Sequence, residues 1–369
     1  MATQILLSAS SVSRWGIAAL VLVLLAGCAD AADRVGGDGT GEPVDPNGVG
    51  AAAAEDIVIP AEGMELAGAL RMPESAGPAP AVVIVHGSGP LSRDGLLPGQ
   101  LGLTLSQPVP VYRELAESLV ARGYAVLTWD KRTCGPFNGC ADNDYPAPPD
   151  DLTFETLRAD AGAVLDVLAG RDDIDEVVVV GHSKGGTISA GLVAERDDLA
   201  GLVLMATPAV PITEVLDAQA EKLAALVAAG DQQREADQAV TELRELAAQV
   251  TEIGEGQGDG PPVGGASRRF WASWIDASLA APDQVGSAGV PVLALGGQYD
   301  WNVPAEQMLA WEPHLGEHGR VEVLSNITHA LTYLETDDVD AISAEDVGEH
   351  LDSSVVDALA SWLDDTLDP

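Results

Sequence analysis

Gly181-His182-Ser183-Lys184-Gly185 follows an apolar run, Glu176 to Val180, and opens a segment with helical spacing, Lys184 to Arg196. A serine between two glycines at a strand-to-helix junction has a physical rationale. The turn is too tight for neighbouring side chains, so the serine Oγ stands exposed at the sheet edge, where it can attack an electrophilic carbon. A hydroxyl is a weak nucleophile and needs a base, and the base needs a partner that orients it. Two later segments supply both. Asp300 closes Gly296-Gly297-Gln298-Tyr299-Asp300 after the apolar run Pro291 to Leu295. His329 closes Asn326-Ile327-Thr328-His329 after Val321 to Leu324. Glu306 and the pair Asp337-Asp338 are alternative acids, less well placed. Of the six histidines, His86 and His182 belong to glycine motifs and read as structural, while His314, His318 and His350 lie in polar stretches.

Acyl transfer through such a serine also needs two backbone N–H groups for the developing oxyanion. One is that of the residue after the nucleophile, Lys184. The other comes from the loop after the first central strand, His86-Gly87-Ser88-Gly89-Pro90, with Ser88 as the donor and Gly89 as the alternative. Each donor is typically worth about 3 kcal/mol in the transition state.

These groups must be carried by a scaffold, and the sequence outlines one. Asp56 to Pro60 and Met64 to Met72 read as two strands joined by a glycine turn. Ala81 to Val85 is a continuous apolar run, the mark of a strand buried on both faces. A helix over Val111 to Arg122, a strand over Tyr124 to Trp129 and a helix over Phe154 to Leu168 follow. Beyond the serine motif come a strand at Leu202 to Met205 and a closing helix at Ser353 to Leu363. Strands alternating with helices predict an α/β fold with a mostly parallel central sheet flanked by helices. One segment breaks the alternation. Residues 211–281 hold two long helical stretches, Glu214 to Ala229 and Gln232 to Val250, then a Gly/Pro-rich loop and a short helix with Phe270, Trp271 and Trp274. We read it as a helical cap over the strand ends, the alternative being a peripheral hairpin. Trp271, Trp274 and Trp301 are candidate pocket liners, or else plain core.

Taken in order, His86-Gly87-Ser88-Gly89-Pro90, Trp129-Asp130-Lys131-Arg132, Gly181-His182-Ser183-Lys184-Gly185-Gly186 and Asp300 with His329 resemble the α/β-hydrolase superfamily over about residue 55 to the end. Within it the chain is similar to the dienelactone-hydrolase and feruloyl-esterase-like branch. The resemblance implies a cap between the sixth and seventh strands. It also implies hydrolysis of a carboxylic ester through an acyl-enzyme on Ser183, with Asp300 and His329 completing a triad and no metal or organic cofactor. Dienelactone hydrolases proper use a cysteine nucleophile where this chain has Ser183. Related hydrolases follow their Asp-x-Arg stretch with a Gly-rich loop, where this chain has Thr133-Cys134. Asp130 and Arg132 read as structural charges that tie the loop down. A peptidase, amidase or thioesterase using the same triad is a second reading. A non-catalytic surface lipoprotein on a hydrolase scaffold is a third, and it predicts a missing triad member.

Composition narrows the partners. With Lys+Arg 18 against Asp+Glu 58 in 369 residues, the formal charge is −40, which argues against nucleic acid and favours small neutral or apolar esters. At 46% hydrophobic the chain can bury a real core. The N-terminus reads as an address. Ser13-Arg14 precedes the uncharged apolar stretch Trp15 to Leu25, too short to span a membrane as a helix. Leu25-Ala26-Gly27-Cys28 resembles a bacterial lipobox, which implies a signal peptide over 1–27 and acylation of Cys28. Residues 28–54, rich in Gly, Asp, Pro and Ala, read as a flexible tether, leaving 55–369 as the hydrolase domain. The lipobox resemblance also implies the outer membrane or cell surface, because lipoproteins retained at the inner membrane carry Asp where this chain has Ala29. In an exported chain, Cys134 and Cys140 flanking a short turn-forming stretch predict a disulfide, with free thiols or a metal site as alternatives.

Overall fold

The structure is a computed structural model that describes residues 54–74, 77–100, 103–135, 140, 152–229, 233–335 and 346–367. The signal segment, Cys28, the tether up to residue 53, and Asp337 and Asp338 lie outside the described residues.

A ten-stranded sheet forms the centre. β1 (Glu55–Ala61) and β2 (Met64–Arg71) make an antiparallel hairpin at one edge. β2 pairs antiparallel with β6 (Ala125–Trp129), which runs parallel to β3 (Ala79–Val85). The parallel run continues through β7 (Ile174–His182), β8 (Gly201–Met205), β9 (Val292–Tyr299) and β10 (Arg320–Thr328). β11 (Thr332–Leu334) and β12 (Val347–Leu351) close the far edge antiparallel.

The sheet divides two cores, as side-chain alternation along a strand requires. Ala81, Val83 and Val85 of β3 join one core with α2 (Phe154–Ala169), while Val82 and Ile84 join the other. The second core is closed by α1 (Val111–Val120) and α8 (Ser353–Thr366). Burial on both faces explains why β3, β7 and β8 read as unbroken apolar runs.

The helices α4 (Ile212–Ala229), α5 (Gln233–Gly254) and α6 (Arg268–Ser287) come between β8 and β9, the sixth and seventh strands of the large sheet in chain order. α6 is longer than the short helix expected and continues through Pro282. Its start is capped by Ser267, whose side chain accepts from the Phe270 amide. A short α7 (Ala305–Leu309) follows β9. Four strands escape the sequence reading. β4 (Leu96–Gln100) and β5 (Leu103–Pro110) form a separate two-stranded sheet between β3 and α1. Pro98, Gly99, Pro108 and Pro110 argue against strands there, and a two-strand ribbon tolerates them because it consists of edges. β11 has three residues, too few to show a period, and β12 is a five-residue edge strand with one buried side chain.

Candidate active site

Ser183 sits between β7 and α3 (Lys184–Glu195) with φ 54° and ψ −121°, a backbone conformation costly for a residue with a side chain. The surroundings hold it there. Its amide donates to the Met205 carbonyl at 2.8 Å. The next turn is pressed against two neighbouring strand ends. A Cβ at Gly185 would lie 2.1 Å from the Val85 carbonyl oxygen, and one at Gly186 would lie 2.0 Å from Thr207 Oγ1. The glycines are needed because the start of α3 rests directly on the β3 main chain and on the Thr207 side chain. Ser183 Oγ has no hydrogen bond among the described residues.

Asp300 and His329 meet at the ends of β9 and β10. His329 Nδ1 lies 2.8 Å from Asp300 Oδ2, and the Asp300 side chain is fully buried. The other carboxylate oxygen accepts from the amides of Asn302, at 2.9 Å, and Val303, at 2.7 Å. Three contacts therefore set the orientation of the acid. His329 also lies against the residue before the serine, its ring centroid 5.0 Å from that of His182. Gln100, at the end of β4, binds both loops. Its Oε1 accepts from the His329 amide at 3.0 Å and from the Trp301 amide at 3.3 Å. The hairpin missed in the sequence thus reaches the site.

The loop after β3 is fastened from below. The Gly87 amide donates to Tyr112 Oη at 3.0 Å. Lys131 Nζ donates to the carbonyls of Gly87 and Gly89, the latter at 2.9 Å. Burial, with the Lys184 cation adding to it, pulls the Lys131 amine well below its ordinary range. The Ser88 amide has no partner among the described residues, whereas that of Gly87 is occupied. Asp130 is bound by Arg93, through its amide at 2.7 Å and its guanidinium at 2.7 Å. Arg132 is paired with Asp160 on α2. Asp130 and Arg132 are structural charges, as their sequence context suggests, but nothing adjacent in sequence marks Lys131 between them. A usable signal was there: the chain has three lysines, Lys131, Lys184 and Lys222.

A cavity opens beside Ser183, with Ser88 and Lys184 in its wall. The inserted helices supply most of its apolar lining, including Leu216, Leu243, Trp271 and Trp274. The two tryptophans stack with centroids 5.4 Å apart. Lys184 Nζ lies 5.1 Å from the Trp274 ring centroid and 5.3 Å from that of Phe270, within cation–π range. Trp301 is buried outside that lining, with Lys222 Nζ 5.1 Å over its ring. No aspartate or glutamate lines this cavity among the described residues. Cys134 and Cys140 are joined by a disulfide, Cα–Cα 5.9 Å, directly after the Asp130–Arg132 stretch. Among the described residues no three His, Cys, Asp or Glu side chains are grouped to hold a metal ion.

This architecture and strand-to-helix serine turn define an α/β hydrolase. Comparison with known proteins gives the family. Residues 107–337, more than half of the chain, match the family described as serine aminopeptidase, S33, and the chain belongs to it. Esterase EstD of Thermotoga maritima is 28% identical over 305 residues, covering 81% of this chain. The chain spans 65% of that relative's length. Among solved structures, Est1E from Butyrivibrio proteoclasticus is similar with a TM-score of 0.52 and 17% identity, covering 85% of this chain and 99% of its own. An esterase from Pyrococcus furiosus is similar with a TM-score of 0.50 and 16% identity, covering 85% of this chain and 91% of its own. At these identities the structural likenesses speak for the fold.

Proposed function

We propose that the protein is a serine carboxylesterase acting on small neutral or apolar esters. The observation that carries this is the strained Ser183 turn opening into an apolar cavity beside the buried Asp300–His329 pair. His329 takes the proton from Ser183 Oγ as the oxygen attacks the ester carbonyl. Asp300 holds the imidazole through Nδ1 and stabilises its charged form. The amides of Ser88 and Lys184 receive the oxyanion. The proton on His329 passes to the leaving alcohol, and water, activated by the same histidine, hydrolyses the acyl-enzyme. Catalytic hydrogen bonds of the kind proposed between Ser183 Oγ and His329 tighten when substrate binds.

The family's description names an aminopeptidase. That chemistry needs an anionic group to receive the free α-ammonium of the peptide. Among the described residues the cavity wall carries Lys184 with apolar and uncharged polar side chains and no carboxylate, which supports the ester reading.

The relationship to an enzyme described as an esterase supports it as well. The test is hydrolysis of p-nitrophenyl esters of graded chain length by residues 29–369, beside Ser183→Ala. Equal rates for the two proteins would overturn the proposal.

We further propose that the chain is exported and anchored through acylated Cys28, with 28–54 as its tether. The Cys134–Cys140 disulfide is suited to an oxidising compartment. Metabolic labelling with a palmitate analogue should mark the native chain and not Cys28→Ser. Equal labelling of both would remove the anchor.

A further inference from the structure

We propose that Tyr112 and His182 are a positioning pair that ties the loop bearing the Ser88 amide to the loop bearing His329; the inference rests on the esterase reading above. The bonds form one continuous path. The Gly87 amide meets Tyr112 Oη at 3.0 Å, Tyr112 Oη meets His182 Nδ1 at 2.9 Å, and His182 Nε2 meets the His329 carbonyl at 3.1 Å. Four segments distant in sequence are joined: the turn after β3, the first turn of α1, the end of β7 and the loop after β10.

The proton positions follow from the partners. A carbonyl oxygen only accepts, so His182 Nε2 carries the hydrogen and Nδ1 is the acceptor. Tyr112 must therefore donate its hydroxyl hydrogen to Nδ1. Its oxygen remains free to accept from the Gly87 amide. Every donor meets an acceptor in a single arrangement, and a chain of this kind in a dry interior polarises and stiffens itself. Both side chains are fully buried, and burial with the neighbouring His329 pushes the His182 imidazole down to about 3, so it stays neutral.

What the path connects gives it a role beyond packing. Gly87 precedes Ser88, whose amide has no partner among the described residues and whose residue lines the cavity. At the other end, the bonded carbonyl belongs to His329, whose ring is held by Asp300. The path therefore fixes the distance between the proposed oxyanion donor and the proposed base. That distance matters most when charge develops on the substrate, and an ångström of misplacement can cost about 10²-fold in rate.

Tyr112→Phe keeps the ring and removes only the hydroxyl. With p-nitrophenyl butyrate, kcat per site counted by fluorophosphonate titration should fall about 10- to 100-fold. KM should stay within about twofold, and affinity for phenylboronic acid, a mimic of the tetrahedral state, should fall with kcat. A merely structural hydroxyl would lower the number of titratable sites and leave the rate per site alone. His182→Asn retains an acceptor near Nδ1 and His182→Gln a donor near Nε2, so each cuts the path at a different bond. Combined with Tyr112→Phe, His182→Gln should cost little beyond the worse single variant. Unchanged kcat per site in Tyr112→Phe overturns the pair, as does full additivity with His182→Gln. If Tyr112→Phe does not fold, the two His182 variants take its place, and unchanged kcat per site in both overturns the pair. Should Ser183→Ala keep full activity, the esterase reading itself fails. Loss in Ser183→Ala with none in Tyr112→Phe removes the positioning pair alone.

Discussion

The strand-end face of the sheet and the inserted helices α4–α6 border the same cavity in different ways. On the sheet side, position is set by backbone. Gly185 and Gly186 rest on neighbouring main chain and Thr207, Asp300 is held by three contacts, and Lys131 and Tyr112 fasten the loop after β3. On the helical side, position is set by side-chain volume: leucines and stacked tryptophans, with Phe270 and Trp274 over the Lys184 ammonium of the sheet side. Hydrogen bonds and backbone contact have narrow geometric tolerance, whereas apolar packing tolerates volume-conserving change. Under the proposed function, the sheet side would carry the chemistry and the helical side would choose what enters.

That contrast can be broken experimentally, starting where the effect should be greatest. Ser183→Ala should lower kcat/KM on p-nitrophenyl butyrate by at least about 10⁴-fold, and Asp300→Asn by a similar factor, because each removes one member of a unit. Retained activity in either variant would break the account of the sheet side.

Acid should act next. His182 is held near 3 in the folded protein against 6.5 for an ordinary histidine, by burial first and by His329 second. Between those values the unfolded chain binds more protons, so stability is fully present above pH 6.5 and is lost as pH falls toward 3. His86, also lowered well below its ordinary value by burial, acts in the same direction. His182 contributes up to about 1.4 kcal/mol per pH unit in that window. Urea unfolding of the native protein should weaken between pH 7 and 5, and His182→Gln should show a shallower slope. Equal slopes would remove His182 from the explanation.

Gly185→Ala places a methyl 2.1 Å from the Val85 carbonyl oxygen. Overpacking of this kind costs about 1–3 kcal/mol and shifts α3, so thermal melting should drop by several degrees and kcat by about 10²-fold. Lys131→Met, of similar length, should lower kcat about tenfold with smaller change in KM, because two carbonyls lose their donor. On the helical side, Trp274→Ala should change kcat least. It should shift preference toward longer acyl chains, by roughly fourfold per accommodated methylene at about 0.8 kcal/mol each. A Trp274→Ala effect as large as that of Lys131→Met on kcat, with no change in chain preference, would erase the distinction between the two sides.

Much of the fold was legible because its central strands are buried on both faces and read as apolar runs between glycine and helical segments. Ser183, Asp300 and His329 were legible as positions because each ends a strand-then-loop pattern. Gln100 was not. It lies in a proline-broken hairpin and reaches His329 across 229 positions of sequence. Tyr112 read as the opening of a helix, and nothing local marks its hydroxyl as the partner of Gly87 and His182. Trp301 shows the converse limit, since an aromatic beside Asp300 suggested the pocket and folded outside its lining.

By itself, the sequence determined the order of the central strands and helices, the insertion after the sixth sheet strand, and the turn that makes Ser183 stand out. These rest on local rules: periodicity of burial, the conformational demand of a tight turn, and the position of polar residues at strand ends. Tertiary structure alone decided that Tyr112, His182, Lys131 and Gln100 bind the site's loops together. A hydrogen bond is a matter of tenths of an ångström between atoms far apart in the chain, and no pattern of residue types carries that information.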